Sequence, residues 1–191
     1  HLAPTANLTY SDATYRTPFG VERHGYGYGM PLNRPLVNAE TVQEIHDHAW
    51  PDPAWMDVSH IRDEVLQYDG QYAILGGDWS PYWHDALDMF TFAGLSYKMH
   101  DNPELVDALV THIVDYYFEA SRRIFDAAAD LIDIFFIGND FGAQIGPLIG
   151  EKQFRRFFMP PLKRLADLGH DYGLKVLMHC AEKVAYMKPA G

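Results

Sequence analysis

The sequence has a single cysteine, Cys180, among 191 residues, so no disulfide can form within the chain. It has no run near the ~20 apolar residues that a membrane-spanning helix needs. Its first residues, HLAPTANLTY, lack the basic start and apolar core of a signal peptide. Positive charge is also scarce, because 15 Lys and Arg stand against 26 Asp and Glu, a net charge of -11. This balance disfavours nucleic acid and anionic membranes as partners, and these features together predict a cytoplasmic protein.

Several catalytic motifs are missing as well. No strand-like run opens a Gly-x-Gly-x-x-Gly turn, which disfavours a dinucleotide-binding sheet. A Walker loop, an HExxH zinc motif and the chain order of a Ser-His-Asp triad are also absent from the sequence. The chemistry of this chain must therefore be inferred from where its polar residues fall relative to the predicted strands and helices.

The order of the predicted elements indicates a parallel sheet covered by helices. Residues 1–38 have the composition of irregular chain, including a glycine-rich stretch at 24–35, and are followed by predicted helices. From residue 71 onward, apolar strands alternate with helices. The predicted strands are 72–78, 131–138 and 174–180, and the predicted helices are 38–50, 57–70, 80–94, 101–130 and 150–173. Buried strands separated by helices are typical of an open doubly wound sheet or of a (β/α)8 barrel.

The length of the chain bears on the choice between these folds. A (β/α)8 barrel needs about 250 residues, and only three clear strands are recognised in the 191 residues given. We therefore expect a single domain over 1–191 that represents an α/β barrel in part, within a longer protein. Its irregular and helical portion is 1–70, and its β/α units are 71–191.

Polar residues follow all three predicted strands. Asp78 and Trp79 follow the first strand, Asn139 and Asp140 the second, and His179 ends the third. In parallel α/β proteins the active site lies at the carboxyl ends of the strands, so these side chains are expected to meet in one crevice. We predict catalytic roles for Asp140 and His179. Substrate contacts are predicted for further residues near these ends: Asp78, Trp79, Tyr82, His84 and Asn139.

The chain contains the segments WPDPAWMD, NPELVDALVTHIVDYY and ADLIDIFFIGNDFGAQIGPLIGEKQFRRFFMPPLKRLADLGHDYGLKVLMH. These segments, within roughly residues 36–180, resemble the uroporphyrinogen decarboxylase superfamily, and most of all its cobamide-dependent methyltransferase-like branch. The resemblance implies a (β/α)8 barrel whose other parts lie before residue 1 and after residue 191. It also implies a small-molecule substrate, a corrinoid protein as a partner, and pairing as a homodimer.

The resemblance also carries over to individual residues. Members of that branch typically have two aspartates after this strand, then Gly and Gln, and a later His-x-Cys-Gly motif. Asp140 takes the place of the second aspartate, Asn139 replaces the first, and Gln144 matches the glutamine as a candidate substrate contact. His179 takes the place of the histidine, which holds Zn2+ together with the cysteine in zinc-dependent members. Ala181 stands where that cysteine is expected, so the implied zinc ligand His179 lies in a broken motif.

Three functions are compatible with these residues. The first is methyl transfer to or from a corrinoid protein or a small acceptor, with the corrinoid supplied by the substrate or a partner. The second is uroporphyrinogen decarboxylation in porphyrin biosynthesis, which needs no cofactor but needs a basic cradle for a polycarboxylate. The third is a non-catalytic barrel that binds a corrinoid or small ligand. The sequence is acidic and has few arginines near the strand ends, which favours methyl transfer.

Overall fold

A computed structural model describes residues 14–25 and 30–180. The chain divides into two compact units that interleave along the sequence. The first unit contains residues 1–52 and 85–109, and the second contains residues 53–84 and 110–191. In the described residues, no helix combines the length and the apolar character needed to cross a membrane.

Short strands precede an alternation of helices and strands. The described strands are β1 Thr14–Arg16, β2 Glu22–His24, β3 Met30–Pro31, β4 Leu75–Gly76, β5 Ile134–Gly138, β6 Gly142–Ala143, β7 Gly146–Pro147 and β8 Lys175–His179. The described α-helices are α1 Val42–His46, α2 Ile61–Leu66, α3 Tyr82–Met89, α4 Phe92–Asp101, α5 Pro103–Ala128, α6 Glu151–Gln153 and α7 Met159–Asp171. Two 3-10 turns, at Pro53–Trp55 and Ala129–Leu131, and one π turn at Phe154–Phe158 complete the helical structure of the described ranges.

An antiparallel sheet of β1, β2 and β3 lies in the first unit, with Tyr15 opposite Arg23 in its register. The prediction of irregular chain over residues 1–38 is therefore wrong for these strands, whereas residues 1–13 and 26–29 lie outside the described ranges. Strands of only two or three residues are too short for an alternating pattern to be recognised.

The buried residue of β2 is an arginine, which also hid this sheet from sequence analysis. Arg23 is almost fully buried, and its guanidinium forms ion pairs with Asp85 (3.3 Å) and with Asp88. A buried cation is tolerated only when it is paired. The two carboxylates are contributed by a region far along the chain, so nothing local in the sequence marks Arg23 as an inward-facing residue.

The predicted helix over residues 38–50 is present in a shorter form. α1 begins at a capping box in which the Thr41 hydroxyl accepts a hydrogen bond from the Glu44 N–H and the Glu44 carboxylate accepts one from the Thr41 N–H. The helix ends at His46, several residues before Pro51. Likewise, the helix predicted over residues 57–70 is reduced to α2.

The prediction of one continuous helix over residues 80–94 is wrong. α3 ends at Met89, and α4 starts at Phe92 after a new N-cap, because the Thr91 hydroxyl accepts a hydrogen bond from the Gly94 N–H at 2.8 Å. Thr91 is fully extended, with φ of -175°. Neither glycine nor proline marks this break, and a threonine inside an apolar run gives only a weak signal for a cap.

The second unit contains the predicted parallel sheet. Its strand order is β4-β5-β8, both pairings are parallel, and β5 is the central strand. Gly138 at the end of β5 lies opposite His179 at the end of β8. The strands predicted over residues 131–138 and 174–180 are confirmed, whereas the one over 72–78 is reduced to two residues. These strands and their helices are β/α units of a (β/α)8 barrel, which this chain represents in part.

The long helix predicted over residues 101–130 is confirmed by α5, which spans 26 residues. Its buried residues recur every three or four positions, as expected for one face of a helix against a core. They include Leu105, Leu109, Ile113, Tyr116, Tyr117 and Ala120.

The segment predicted as a helix over residues 150–173 is helical but changes its period before a pair of prolines. A π turn over Phe154–Phe158 links α6 to α7, and the Met159 N–H bonds the Phe154 carbonyl. Pro160 and Pro161 then occupy the first turn of α7, where the missing N–H groups cost least. The prolines therefore restart the helix rather than terminate it.

Candidate functional site

The carboxyl ends of β5 and β8 are held together directly after the last paired residues. The Asn139 N–H donates to the His179 carbonyl at 3.1 Å, which extends the parallel ladder by one hydrogen bond. Parallel pairing therefore brings the residue after β5 next to the last residue of β8, as the sequence predicted. Asp140 then follows where the strand has ended.

Asp140 lies between two imidazoles. Its Oδ1 is 3.3 Å from Nε2 of His179, and its Oδ2 is 3.8 Å from Nε2 of His84. The first distance is close to hydrogen-bonding range, and the second permits electrostatic attraction only. The Asp140 side chain is 29% exposed, against 23% for His84 and 50% for His179, so all three are accessible to solvent. We refer to His84, Asp140 and His179 as the Asp140 cluster.

Asn139 differs from its neighbour in being wholly buried. Its side-chain Oδ1 accepts a hydrogen bond from the Trp83 N–H at 2.9 Å, and its Nδ2 donates to the Ser80 carbonyl at 2.9 Å. Trp83 lies in the first turn of α3, where backbone N–H groups have no partner within the helix. Asn139 thus supplies the cap of α3 from a different strand, and its predicted contact with a substrate stays a prediction.

Ser80 lies two residues before α3, and its hydroxyl bonds backward along the chain rather than to the helix. Its hydroxyl donates to the Asp78 carbonyl at 2.8 Å, and its backbone has a φ of +55°, which non-glycine residues adopt at a cost. The residue is wholly buried. The sharp turn at Ser80 directs its own carbonyl to the Asn139 amide.

Asp78 follows β4, and its surroundings are less polar than those of Asp140. Its N–H donates to the Ser121 hydroxyl at 3.0 Å, and its Oδ1 accepts from the Ser80 N–H at 3.4 Å. Burial raises the pKa of the Asp78 carboxyl, and the hydrogen bond from Ser80 opposes this shift only in part. Ser121 lies 43 residues away on α5, and no local pattern in the sequence could have identified it as the partner.

Trp79 lies against the end of β5. Its carbonyl accepts a hydrogen bond from the Gly138 N–H at 2.9 Å. A Cβ added to Gly138 would lie 1.2 Å from Nε1 of the indole, so a glycine is required for the ring to take this place. The Trp79 residue is 41% exposed, which leaves part of the ring accessible at the strand ends.

The two remaining predicted substrate contacts lie in contrasting surroundings. Tyr82 is wholly buried, its hydroxyl donates to the Phe158 carbonyl at 2.8 Å, and burial raises its pKa well above the ordinary value. Its ring packs with Phe141 and Phe158. Gln144 is exposed at the turn of the β6–β7 hairpin. The described contacts therefore bring Asp140, His84 and His179 together, while Tyr82 belongs to the aromatic core.

Within residues 14–25 and 30–180, His179 has no donor set that fits a zinc ion. In the parts of the chain that are described, no three His, Cys, Asp or Glu side chains are grouped so that they could hold a metal. The imidazole of His179 approaches the Asp140 carboxylate. The zinc ligand role of His179 stays a prediction, and no chemical step is derived through it.

Comparison with known proteins adds two findings. The family model for uroporphyrinogen decarboxylase (URO-D) matches residues 25–190. Among solved structures, the chain is similar to a methyltransferase from Methanosarcina mazei, with 16% sequence identity and a TM-score of 0.52. That likeness covers 83% of this chain but 44% of the other, so this chain spans less than half the length of that structure. At this identity it concerns the fold alone. No curated protein matches the sequence.

Proposed function

The chain belongs to the uroporphyrinogen decarboxylase family, and we propose that it is an enzyme of this family that transfers a methyl group to or from a corrinoid protein or a small acceptor. The observation that carries the proposal is the Asp140 cluster at the carboxyl ends of adjacent parallel strands, where (β/α)8 enzymes have their active sites. The similarity to a methyltransferase supports the fold on which this chemistry would occur.

The cluster has the components of a general acid–base device. With the Nε2–H of His179 donated to Asp140, the Nδ1 of this imidazole is available to accept a proton. Asp140 then stabilises the imidazolium that forms. His84 on the other side of the carboxylate adds a second group able to exchange protons. The arrangement resembles the base–carboxylate pairs that activate nucleophiles in other enzymes.

The proposed direction of transfer is from a methylated corrinoid to a thiol acceptor. The C–S bond forms as the Co–C bond breaks, the electron pair of the Co–C bond stays on cobalt, and the thiol proton passes to His179. The protein residues contribute by deprotonating the acceptor and by stabilising the positive charge on the imidazole. Thiolates are far better nucleophiles than thiols, so this proton transfer determines how fast the acceptor can react.

Decarboxylation of uroporphyrinogen is the alternative, and the charges in the second unit disfavour it. A polycarboxylate substrate requires several cations around the reacting group. The six arginines described in this unit instead contact carboxylates, a backbone carbonyl or a ring outside the Asp140 cluster. These contacts are Arg62 with Asp130, Arg122 with Glu119, Arg123 with Met56, Arg155 with Glu151, Arg156 with Phe157 and Arg164 with Asp115.

The test is methyl transfer from methylcobalamin to dithiothreitol, followed by the cobalamin absorbance spectrum, with the full-length protein. Asp140→Asn keeps the size of the side chain but removes the charge that stabilises the imidazolium, so turnover should fall by about 10²-fold or more. The control is Asp167→Asn, which removes an exposed carboxylate paired with Lys163 on α7 and should leave turnover unchanged.

The other two functions predict different results in the same experiment. Release of CO2 from uroporphyrinogen, without methyl transfer, would establish the decarboxylase alternative. Saturable binding of methylcobalamin without turnover would support a non-catalytic binding barrel. Equal turnover by wild type and Asp140→Asn would remove Asp140 from the mechanism even if methyl transfer itself were observed.

A further inference from the structure

We propose that Asn139 is the positioning residue of the Asp140 cluster, holding His84, Asp140 and His179 in register through three hydrogen bonds of its own. The inference rests on the proposed function for its kinetic readout, although its geometric content is independent of which reaction is catalysed. Asn139 itself is wholly buried, and this role requires no contact with the reacting atoms.

Two hydrogen bonds of Asn139 and one of its covalent bonds reach residues at or next to the members of the cluster. Its backbone N–H donates to the carbonyl of His179 itself at 3.1 Å. Its Oδ1 accepts from the N–H of Trp83, which directly precedes His84. Asp140 is its covalent neighbour. One buried residue is therefore bonded directly to Asp140 and hydrogen-bonded to His179 and to the residue that precedes His84.

The third hydrogen bond, from Nδ2 to Ser80, accounts for an amide at this position. The Ser80 carbonyl, which also accepts from the Tyr82 N–H, lies 2.9 Å from Nδ2 and takes a donor there, while the Trp83 N–H lies 2.9 Å from Oδ1 and takes an acceptor. Asparagine presents both groups on one short side chain. An ionised aspartate of the same shape presents only acceptors, so one carboxylate oxygen would face the Ser80 carbonyl oxygen without a proton between them.

Because position 139 needs both a donor and an acceptor, an aspartate there can distinguish a positioning role from a purely stabilising one. Asn139→Asp restores both hydrogen bonds when the new carboxyl is protonated and loses the bond to Ser80 when it is ionised. Near this position, Asp140 is the covalent neighbour of Asn139, the His179 carbonyl accepts from its N–H, His84 follows Trp83, and Asp78 is hydrogen-bonded to Ser80. Because the wild type carries the same four groups, the ratio of variant to wild type at each pH isolates the effect of the substituted residue.

The experiment measures kcat and KM for methyl transfer from methylcobalamin to dithiothreitol between pH 5 and pH 8.5, with the full-length protein. For Asn139→Asp we expect kcat relative to wild type to fall by about 10²-fold at high pH, as for a misplacement of reacting groups, with KM changed by less than about threefold. At low pH the kcat ratio should return to near one. A purely structural role would lower the amount of folded protein and leave the kcat of the folded fraction unchanged.

The chain offers a matched control in its other compact unit. Asn102 uses its side chain in the same way, with Nδ2 donating to the Glu40 carbonyl at 2.8 Å and Oδ1 accepting from the Leu105 N–H at 3.4 Å. Asn102→Asp should therefore show the stability cost of the same chemical change without the pH-dependent loss of kcat. Equal kcat ratios for both variants across this pH range would overturn the proposal.

A second measurement keeps the test independent of the proposed reaction. NMR titration of the histidine ring protons in Asn139→Asp should show the His84 and His179 signals moving together as the new carboxyl ionises. If the wild type transfers no methyl group but these signals move, the proposed function fails and the positioning role stands. If Asn139→Asp is unfolded at every pH, Asn139→Ser takes its place, since it shortens the side chain and removes the donor to Ser80. Wild-type histidine signals in a folded Asn139→Ser protein would overturn the positioning role.

Discussion

The two ends of strand β5 each carry an acidic residue, yet the structure uses these residues in different ways. At the amino end, the Asp133 carboxylate accepts a hydrogen bond from the Ile74 N–H at 2.8 Å and so joins β5 to the segment that leads into β4. At the carboxyl end, the buried amide of Asn139 makes the equivalent backbone connections. Asp140, the next residue, lies between two imidazoles. An acid at a strand end becomes a candidate for chemistry only when another side chain satisfies the backbone around it.

The largest effect is expected when the buried amide of Asn139 is replaced. Asn139→Leu keeps a similar volume but removes the Asn139 acceptor of the buried Trp83 N–H, at roughly 1–3 kcal/mol, and one of the two hydrogen bonds of the Ser80 carbonyl, at roughly 1 kcal/mol, since the Tyr82 N–H still donates to it. We expect a loss of about 3 kcal/mol in the free energy of unfolding, measured by urea denaturation. At the other end, Asp133→Ala should cost about 1 kcal/mol, because the residue is exposed and water can replace its carboxylate. Equal losses at the two ends would contradict the distinction.

A smaller effect is expected at Gly138, where the backbone of β5 lies against the indole of Trp79. Gly138→Ala places a methyl group in the space taken by Trp79, so the ring must swing away from the strand end. We expect a loss of about 1–3 kcal/mol in stability and a red shift of tryptophan fluorescence as the indole enters water. Gly150→Ala is the control, since its Cβ would meet only the flexible end of Gln153. An unchanged emission spectrum in Gly138→Ala would show that the ring does not occupy this place in solution.

The smallest effect is expected for Asp78, which follows the neighbouring strand β4. Burial raises the pKa of Asp78, so the folded protein retains this proton to a higher pH than the unfolded chain does. Stability is therefore lost as pH rises from the unfolded pKa to the folded pKa, by about 1.4 kcal/mol for each pKa unit between them. Asp78→Asn removes this loss while keeping an acceptor for the Ser80 N–H.

The measurement for this variant is urea denaturation between pH 3 and pH 8. The advantage of Asp78→Asn over wild type should be absent at the acidic limit and grow with pH until it levels off above the folded pKa. A constant difference over the whole range would mean that Asp78 ionises equally easily in both states.

The part of the fold set by local pattern was predictable from the sequence. The apolar strands β5 and β8 and the long helix α5 were found because burial imposes an unbroken apolar run or a helical period. The meeting of Asp140 with His179 also followed, since parallel strands place their carboxyl ends side by side. What the sequence could not supply were contacts between distant residues, namely the pairing of Arg23 with Asp85 and the cap of α3 by Asn139.

The remote cap of α3 has a consequence for the order of folding. The Trp83 N–H and its acceptor are 56 residues apart in the sequence, and α5 lies between them. During synthesis, this amide has no acceptor until β5 has left the ribosome and docked, so the first turn of α3 is completed late although its residues are made early. Hydrogen exchange at the Trp83 amide should therefore report the docking of β5. We therefore expect α3 and β5 to open as a single cooperative unit despite the long segment that separates them.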